Sequence, residues 1–331
     1  MTQRAARVHR LRLCLPILLA VTLLPAALAA CGGCAATPGA SPRSSPLERV
    51  DLTALPIRRA SVGDVTLAYR VLGRGRPLVM IMGLGGTMDV WDPRLLAYLA
   101  REYTVVIFDN RGMGDSTAPP GPFTIEQMAA DTAGLMQRLG YGHYAVLGFS
   151  MGTLVAQELA LRHQREVQAL VLCAATPGGR QAILPPGMGG RQEGGRPRPA
   201  NLAAQLAAML SLEESLFPED WRRQHPDYRS LVPMPKGIVA VRGFGRQIGA
   251  MAAWRGSWQR LPRLHVPTLL VAGVEDELTP ARNAQRMVGR IPAASLVQFR
   301  DAGHGLMYQY PAALARTVAW FLKQLGYDGG R

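Results

Sequence analysis

The chain has 331 residues, with 37 Lys or Arg against 23 Asp or Glu, a formal balance of +14. At 48% hydrophobic and 18% charged residues it is too apolar for a disordered chain and long enough to bury a large core. Almost all the positive charge is arginine, since Lys236 and Lys323 are the only lysines, and it is scattered. No aromatic-interleaved basic strip of the kind that grips nucleic acid is present, so no nucleic-acid partner is expected.

Arg4, Arg7, Arg10 and Arg12 precede an uncharged stretch, Leu13–Ala30, interrupted by Pro16 and Pro25. A basic segment followed by an apolar one is the pattern of a secretory signal. Two prolines and an Ala-rich end disfavour a stable spanning helix. Leu28-Ala29-Ala30-Cys31 resembles the bacterial lipobox, which implies cleavage before Cys31 and a diacylglyceryl group on its sulfur. The alternative is an ordinary signal peptide cut nearby. Loss of residues 1–30 removes four arginines and no acid, leaving +10. Cys14 lies in the signal and Cys173 in an apolar run, so no disulfide framework is expected. Cys31 and Cys34 form a Cys-x-x-Cys without a second pair or a histidine partner, so neither a zinc site nor a cofactor is expected. Residues 31–50, rich in Gly, Ala, Ser, Thr and Pro, read as a flexible tether to a folded domain over 51–331.

Ile57–Gly63 and Val65–Leu72 read as a starting hairpin around Gly63-Asp64. Pro77–Met82, Tyr103–Phe108, Tyr144–Phe149, Val167–Ala174, Val266–Ala272 and Ser295–Phe299 read as strands. Between them, helical spacing predicts Trp91–Arg101, Ile125–Leu139, Met151–His163, Ala281–Ile291 and Ala312–Leu325. Near-continuous apolar strands alternating with helices imply an α/β fold, a mostly parallel sheet covered on both faces. The alternation stops at about residues 177–258. Gly178–Pro199 is crowded with Gly, Pro and Arg and reads as a loop, while Asn201–Phe217 and Lys236–Trp258 show helical character. An insertion of this size predicts a helical lid over the sheet.

Gly148-Phe149-Ser150-Met151-Gly152 ends one predicted strand and opens a helix. In that context a G-x-S-x-G pattern makes a sharp turn that lifts the serine oxygen above the sheet, beside amides that can hold an oxyanion. A nucleophilic serine needs a base, and the base an orienting carboxylate. His304, in Asp301-Ala302-Gly303-His304-Gly305, follows the last predicted strand. Asp276, in Gly273-Val274-Glu275-Asp276-Glu277-Leu278-Thr279-Pro280, follows the strand before it, with Glu275 and Glu277 as alternative orienters. Both stand at carboxyl ends of strands, where open α/β sheets place their ligands. His143, His163, His225 and His265 stand in no motif. Trp91, Phe149, Met151 and Met307 are candidates either for an acyl pocket or for plain core packing.

Taken together, residues from about Ile57 to Leu325 resemble an α/β-hydrolase, close to the single-domain esterase, lactonase and cofactor-free haloperoxidase relatives. The order Ser150, Asp276, His304 is that family's, and Asp109-Asn110-Arg111-Gly112-Met113-Gly114-Asp115-Ser116 resembles its D-x-R-G-x-G-x-S turn. Met82-Gly83-Leu84-Gly85-Gly86 stands where the family usually has His-Gly, so Met82 departs from the pattern. The resemblance implies an oxyanion hole of the backbone N–H groups of Met151 and Leu84, with Asp109 and Arg111 holding their own turn. Relatives that cleave carbon–halogen bonds or epoxides carry aspartate at the elbow, where this chain has Ser150. The expectation is therefore an exported, membrane-anchored hydrolase of a small ester, lactone or lipid-like substrate, acting through a serine ester. Two alternatives stay open: amide cleavage on the same fold, and a ligand-binding or signalling module with little turnover.

Overall fold

The computed structural model describes residues 49–184, 214–233 and 241–327. The signal, Cys31, most of the tether, and most of the predicted loop and first lid helix lie outside the described residues. Eight strands form one sheet: β1 (Arg58–Val62), β2 (Val65–Leu72), β3 (Arg76–Ile81), β4 (Tyr103–Phe108), β5 (Tyr144–Phe149), β6 (Val167–Cys173), β7 (Thr268–Gly273) and β8 (Ala294–Phe299). Their order is β1-β2-β4-β3-β5-β6-β7-β8. The β1–β2 hairpin and the β2–β4 pairing are antiparallel, and every pairing from β4 to β8 is parallel. Each predicted strand is present within one or two residues of its expected ends.

Among the described residues the α-helices are α1 (Pro93–Leu99), α2 (Ile125–Arg138), α3 (Met151–Arg162), α4 (Glu219–Gln224), α5 (Val241–Ala253), α6 (Arg282–Val288), α7 (Leu306–Gln309) and α8 (Pro311–Gln324). α1 is shorter than the predicted Trp91–Arg101 because Asp92 caps it. The Asp92 carboxylate accepts from the amides of Arg94 and Leu95, and Pro93 takes the first helical position. α2 starts on a capping box in which Thr124 and Gln127 exchange side-chain and backbone bonds. α6 ends at Val288 rather than Ile291, and α5 ends at Ala253 rather than Trp258. The short α4 follows Pro218 and had no periodic signal in its polar sequence EDWRRQ. No described helix is long and apolar enough to cross a membrane.

The core has two faces. Residues of α2, α3 and α6, with Ala250 and Trp254 from the end of the insertion, pack on one side of the sheet. Residues of α1 and α8, with Phe217, Trp221 and Tyr228 of the insertion, pack on the other. β5 and β7 are buried along their whole length, as parallel strands covered on both faces must be. The chain reverses direction across the sheet between β3 and β5, whose outgoing loops therefore open a crevice at their carboxyl ends.

Candidate active site

Ser150 stands between β5 and α3 at φ 53° and ψ −121°, a backbone region that a side chain makes costly. The glycines around it make the turn feasible. A Cβ on Gly148 would come within 2.6 Å of the Gly152 carbonyl oxygen, and one on Gly152 would collide with that of Ile81. The elbow is thus wedged between β3 and its own helix, and the Ser150 amide is tied to the Cys173 carbonyl at 3.0 Å. Strain held by such packing points the hydroxyl outward.

His304 meets it. Its Nε2 lies 2.8 Å from Ser150 Oγ, and its Nδ1 lies 2.9 Å from Asp276 Oδ2. His304 and Asp276 are both buried, and Ser150 is part-exposed. Glu275 and Glu277, the alternatives left open by the sequence, are exposed, so Asp276 is the carboxylate at the histidine. Burial alone would push the Asp276 carboxyl up. The charge and hydrogen bond of His304, with bonds from the Thr279 amide and hydroxyl, outweigh it and hold the carboxyl below its ordinary value. Thr279 is a positioning residue that the sequence did not single out. Its hydroxyl donates to Asp276 Oδ2 at 2.7 Å, and the amides of Leu278 and Thr279 donate to Oδ1 at 2.9 and 2.8 Å. The Asp276 carboxylate is thereby fixed from two sides.

The loop after β3 passes directly beside the elbow. A Cβ on Gly83 would lie 3.0 Å from Ser150 Cβ, so Leu84 follows at the edge of the crevice. Among the described residues neither the Leu84 nor the Met151 amide has a recorded acceptor. The missing histidine at Met82 leaves a backbone link instead: Asn110 Nδ2 donates to the Met82 carbonyl at 3.1 Å. Asp109 accepts from the amides of Met88 (2.7 Å) and Asp115 (2.8 Å), which ties this loop to the turn after β4. Burial pushes the Asp109 carboxyl up to about 6 despite those two bonds. Arg111 donates through Nε (2.6 Å) and Nη2 (2.7 Å) to the buried Asp131 and through Nη2 to Asp64. Neither residue points to a reacting atom in this arrangement; both hold the turn.

All four side chains considered for an acyl pocket, Trp91, Phe149, Met151 and Met307, are buried in the core. Phe149 packs its ring 5.2 Å from the His304 ring and edge-on to Trp91. His143 bonds the Arg165 carbonyl and His225 stacks on Trp221, while His163 lies 3.8 Å from Glu166. None of these three, nor the exposed His265, is among the partners of Ser150. Among the described residues no cluster of His, Cys, Asp or Glu is placed to hold a metal ion.

The insertion reaches the site at two places. The Gly305 amide donates to the Leu216 carbonyl at 2.6 Å, and a Cβ on Gly303 would strike Leu216 and Pro218. The glycines flanking His304 therefore let this strap lie across the histidine loop. On the other side, α5 lies over the loops after β3 and β4, where the Gln247 Oε1 accepts from the Gly85 amide at 2.8 Å. After α5 the chain is clasped to the nucleophile helix. Glu158 of α3, fully buried, receives Trp254 Nε1 at 2.7 Å and the guanidinium of Arg260, and Gln157 Oε1 accepts from the Ser257 hydroxyl. No local sequence signal announces this clasp, because its partners lie about 100 residues apart.

The family profile described as the alpha/beta hydrolase fold matches residues 76–311. A Mycobacterium tuberculosis protein that carries the name of a non-heme bromoperoxidase is 28% identical over 78% of this chain and 97% of its own. A 3-oxoadipate enol-lactonase of Acinetobacter baylyi is 27% identical over 79% of this chain and 94% of its own. The crystal structure of the enol-lactonase from Burkholderia xenovorans superposes with a TM-score of 0.68 at 27% identity, covering 80% of this chain and all of that one.

Proposed function

This chain belongs to the alpha/beta hydrolase fold family, and from that premise we propose that it is a serine hydrolase cleaving carboxylic esters or lactones through an acyl-enzyme. One observation carries the reading: Ser150, held at φ 53°, places Oγ 2.8 Å from His304 Nε2, while His304 Nδ1 is held by the Asp276 carboxylate. A serine of ordinary pKa is inert at neutral pH and needs this relay of groups to become nucleophilic.

In the proposed reaction Ser150 Oγ attacks the carbonyl carbon as its proton passes to His304 Nε2. Asp276 keeps the His304 proton on Nδ1 and stabilises the imidazolium. The oxyanion that forms takes hydrogen bonds from the Leu84 and Met151 amides, the second of which opens α3 at its positive end. Collapse expels the alcohol, which takes its proton from His304. Water then gives a proton to His304 and attacks the serine ester, and collapse releases the acid as His304 returns that proton to Ser150 Oγ. Enol-lactonases among the relatives favour ester-type carbonyls over amides as the first substrates to test. A panel of p-nitrophenyl esters of graded chain length is the test. Multiple turnovers in the wild type and none above background in Ser150→Ala support the proposal; tight binding without turnover favours the receptor reading.

The N-terminal motif extends the proposal to location. With Cys31 behind Leu28-Ala29-Ala30, the enzyme would be exported and held at a bacterial envelope membrane by lipid on Cys31. Growth with an alkyne palmitate analogue should tag the wild-type protein and not Cys31→Ala. A wild-type protein without tag refutes the anchor and leaves the chemistry untouched.

A further inference from the structure

We infer that residues 216–218 of the insertion are a positioning element for the general base. Phe217, seated in an aromatic socket, keeps the Leu216 carbonyl on the Gly305 amide and so fixes the His304 ring for proton transfer. The inference rests on the hydrolase reading above and adds Phe217 as a residue that sets its rate.

His304 stands between Gly303 and Gly305. Glycine carries more backbone freedom than any other residue, so a Gly-His-Gly turn does not hold an imidazole in place by itself. Both flanking amides are nevertheless held. The Gly303 amide donates to Gln309 Oε1 at 2.9 Å, a bond within the same loop, and the Gly305 amide donates to the Leu216 carbonyl at 2.6 Å. Gly305 is the N-cap of α7 and has no side chain to serve the helix start, so a carbonyl from the insertion takes one of its orphaned donors. The approach is close on both sides of the histidine. The three atoms nearest a Cβ on Gly303 are the Leu216 oxygen at 2.7 Å and two Pro218 ring carbons, and a Cβ on Gly305 would meet the Phe217 ring at 3.2 Å. The strap fills the room that side chains at positions 303 and 305 would take.

Phe217 is what seats the strap. It is buried, and its ring stacks on Trp221 at 5.2 Å, meets Tyr228 edge-on at 5.5 Å and lies 6.4 Å from the Tyr308 ring of α7. Trp221 and Tyr228 are themselves buried with the α1 and α8 side of the core, so the socket is part of that core rather than of a loose cover. Burial and ring packing act together in such a cluster. The Leu216 carbonyl therefore meets the Gly305 amide at a fixed point, one residue from an imidazole whose Nε2 lies 2.8 Å from Ser150 Oγ. Proton transfer depends steeply on geometry, and a displacement of about 1 Å costs on the order of 100-fold in rate. A cover over the crevice acts on substrate binding, whereas a buttress on the base acts on turnover.

Phe217→Ala and Gly303→Ala disturb the same contact from its two ends, and p-nitrophenyl acetate and p-nitrophenyl octanoate report the result. Corrected for the folded fraction by circular dichroism, each variant should lower kcat about tenfold or more on both esters, with KM within about twofold of wild type. Phe217→Leu, which keeps the socket filled, should restore most of the loss. The double variant should lose far less than the product of the single losses, since both changes break one contact. If Phe217→Ala does not fold, Gly303→Ala decides alone, because its backbone lies outside the left-handed region and the atoms it strikes are the strap's. Unchanged kcat in the folded variants, or a loss that falls on KM and grows with acyl length, would make the strap a structural tie or a substrate cover and overturn the inference. Wild-type protein that turns over neither ester would instead overturn the hydrolase reading, and this one with it.

Discussion

Gly152 passes so close to the Ile81 carbonyl oxygen that a single methyl on its Cα has nowhere to go. An alanine inside a helix ordinarily stabilises by about 1 kcal/mol relative to glycine. Here the sign reverses, because the helix is pressed against β3 to set the elbow. Gly152→Ala should lower stability, measured by urea unfolding, and should lower the rate of ester hydrolysis by more than the fraction unfolded explains. An increase in the midpoint with full activity would show that the wedge does not set the serine.

Asp276 should matter to rate far more than to folding. With an amide in its place His304 loses the partner that selects its tautomer, and kcat should fall by about 10⁴ in Asp276→Asn. The sign of the stability effect follows from the lowered carboxyl in the folded state. Its contribution is present above the ordinary carboxyl range and is lost as pH falls through the lower folded-state value. The gap in melting temperature between wild type and Asp276→Asn should therefore close in acid. A gap that widens on acidification contradicts the ionised Asp276 on which the relay depends. Thr279→Val, which removes one of the bonds to the same carboxylate, should reduce kcat with KM unchanged, and Thr279→Ser should restore it.

Asp109 titrates with the opposite sign. Its folded-state value of about 6 lies above the ordinary 3.8. The stability this adds is fully present below about 4 and is lost as pH rises through 6. Wild type should gain on the order of 3 kcal/mol relative to Asp109→Asn between pH 8 and pH 4. Unfolding of the two proteins across that range checks it, and parallel curves would refute a buried, hard-to-ionise carboxyl.

Glu158 is a buried charge with several partners, so removing it strands the others. Glu158→Ala should cost about 3 kcal/mol, since it strands the buried Trp254 Nε1–H and takes the carboxylate from Arg260, which stays part-exposed and bonded to the Gly256 carbonyl. The site lies at the other end of α3, so residual folded protein should keep its kcat. Stability within 1 kcal/mol of wild type would mean that the clasp is dispensable.

The strands and the Ser150–Asp276–His304 order were legible because each reads from a short run of residues: apolar β-branched strands, a glycine-flanked serine, and polar residues just past strand ends. Asp276 stood out from Glu275 and Glu277 only through the Gly273-x-x-Asp276-x-x-x-Pro280 spacing of the family it resembles, since adjacent acids otherwise differ only in which one the chain turns inward. The Glu158 and Gln157 clasp was hidden for another reason. Two polar residues in the middle of α3 look like a solvated face until the segment Trp254–Arg260 arrives from far along the chain to bury them. α4 was missed because its six residues, EDWRRQ, carry one apolar side chain and no period. Gln247 was invisible for the same reason as the clasp: its partner, Gly85, is 162 residues away.

The central claim is that Ser150 is the nucleophile, and covalent labelling tests it most directly. A fluorophosphonate probe should modify the folded wild-type protein at one site, mapped by peptide mass to Ser150, and should leave Ser150→Ala unlabelled. Labelling that persists in Ser150→Ala, or a folded wild type that the probe does not touch, would contradict it.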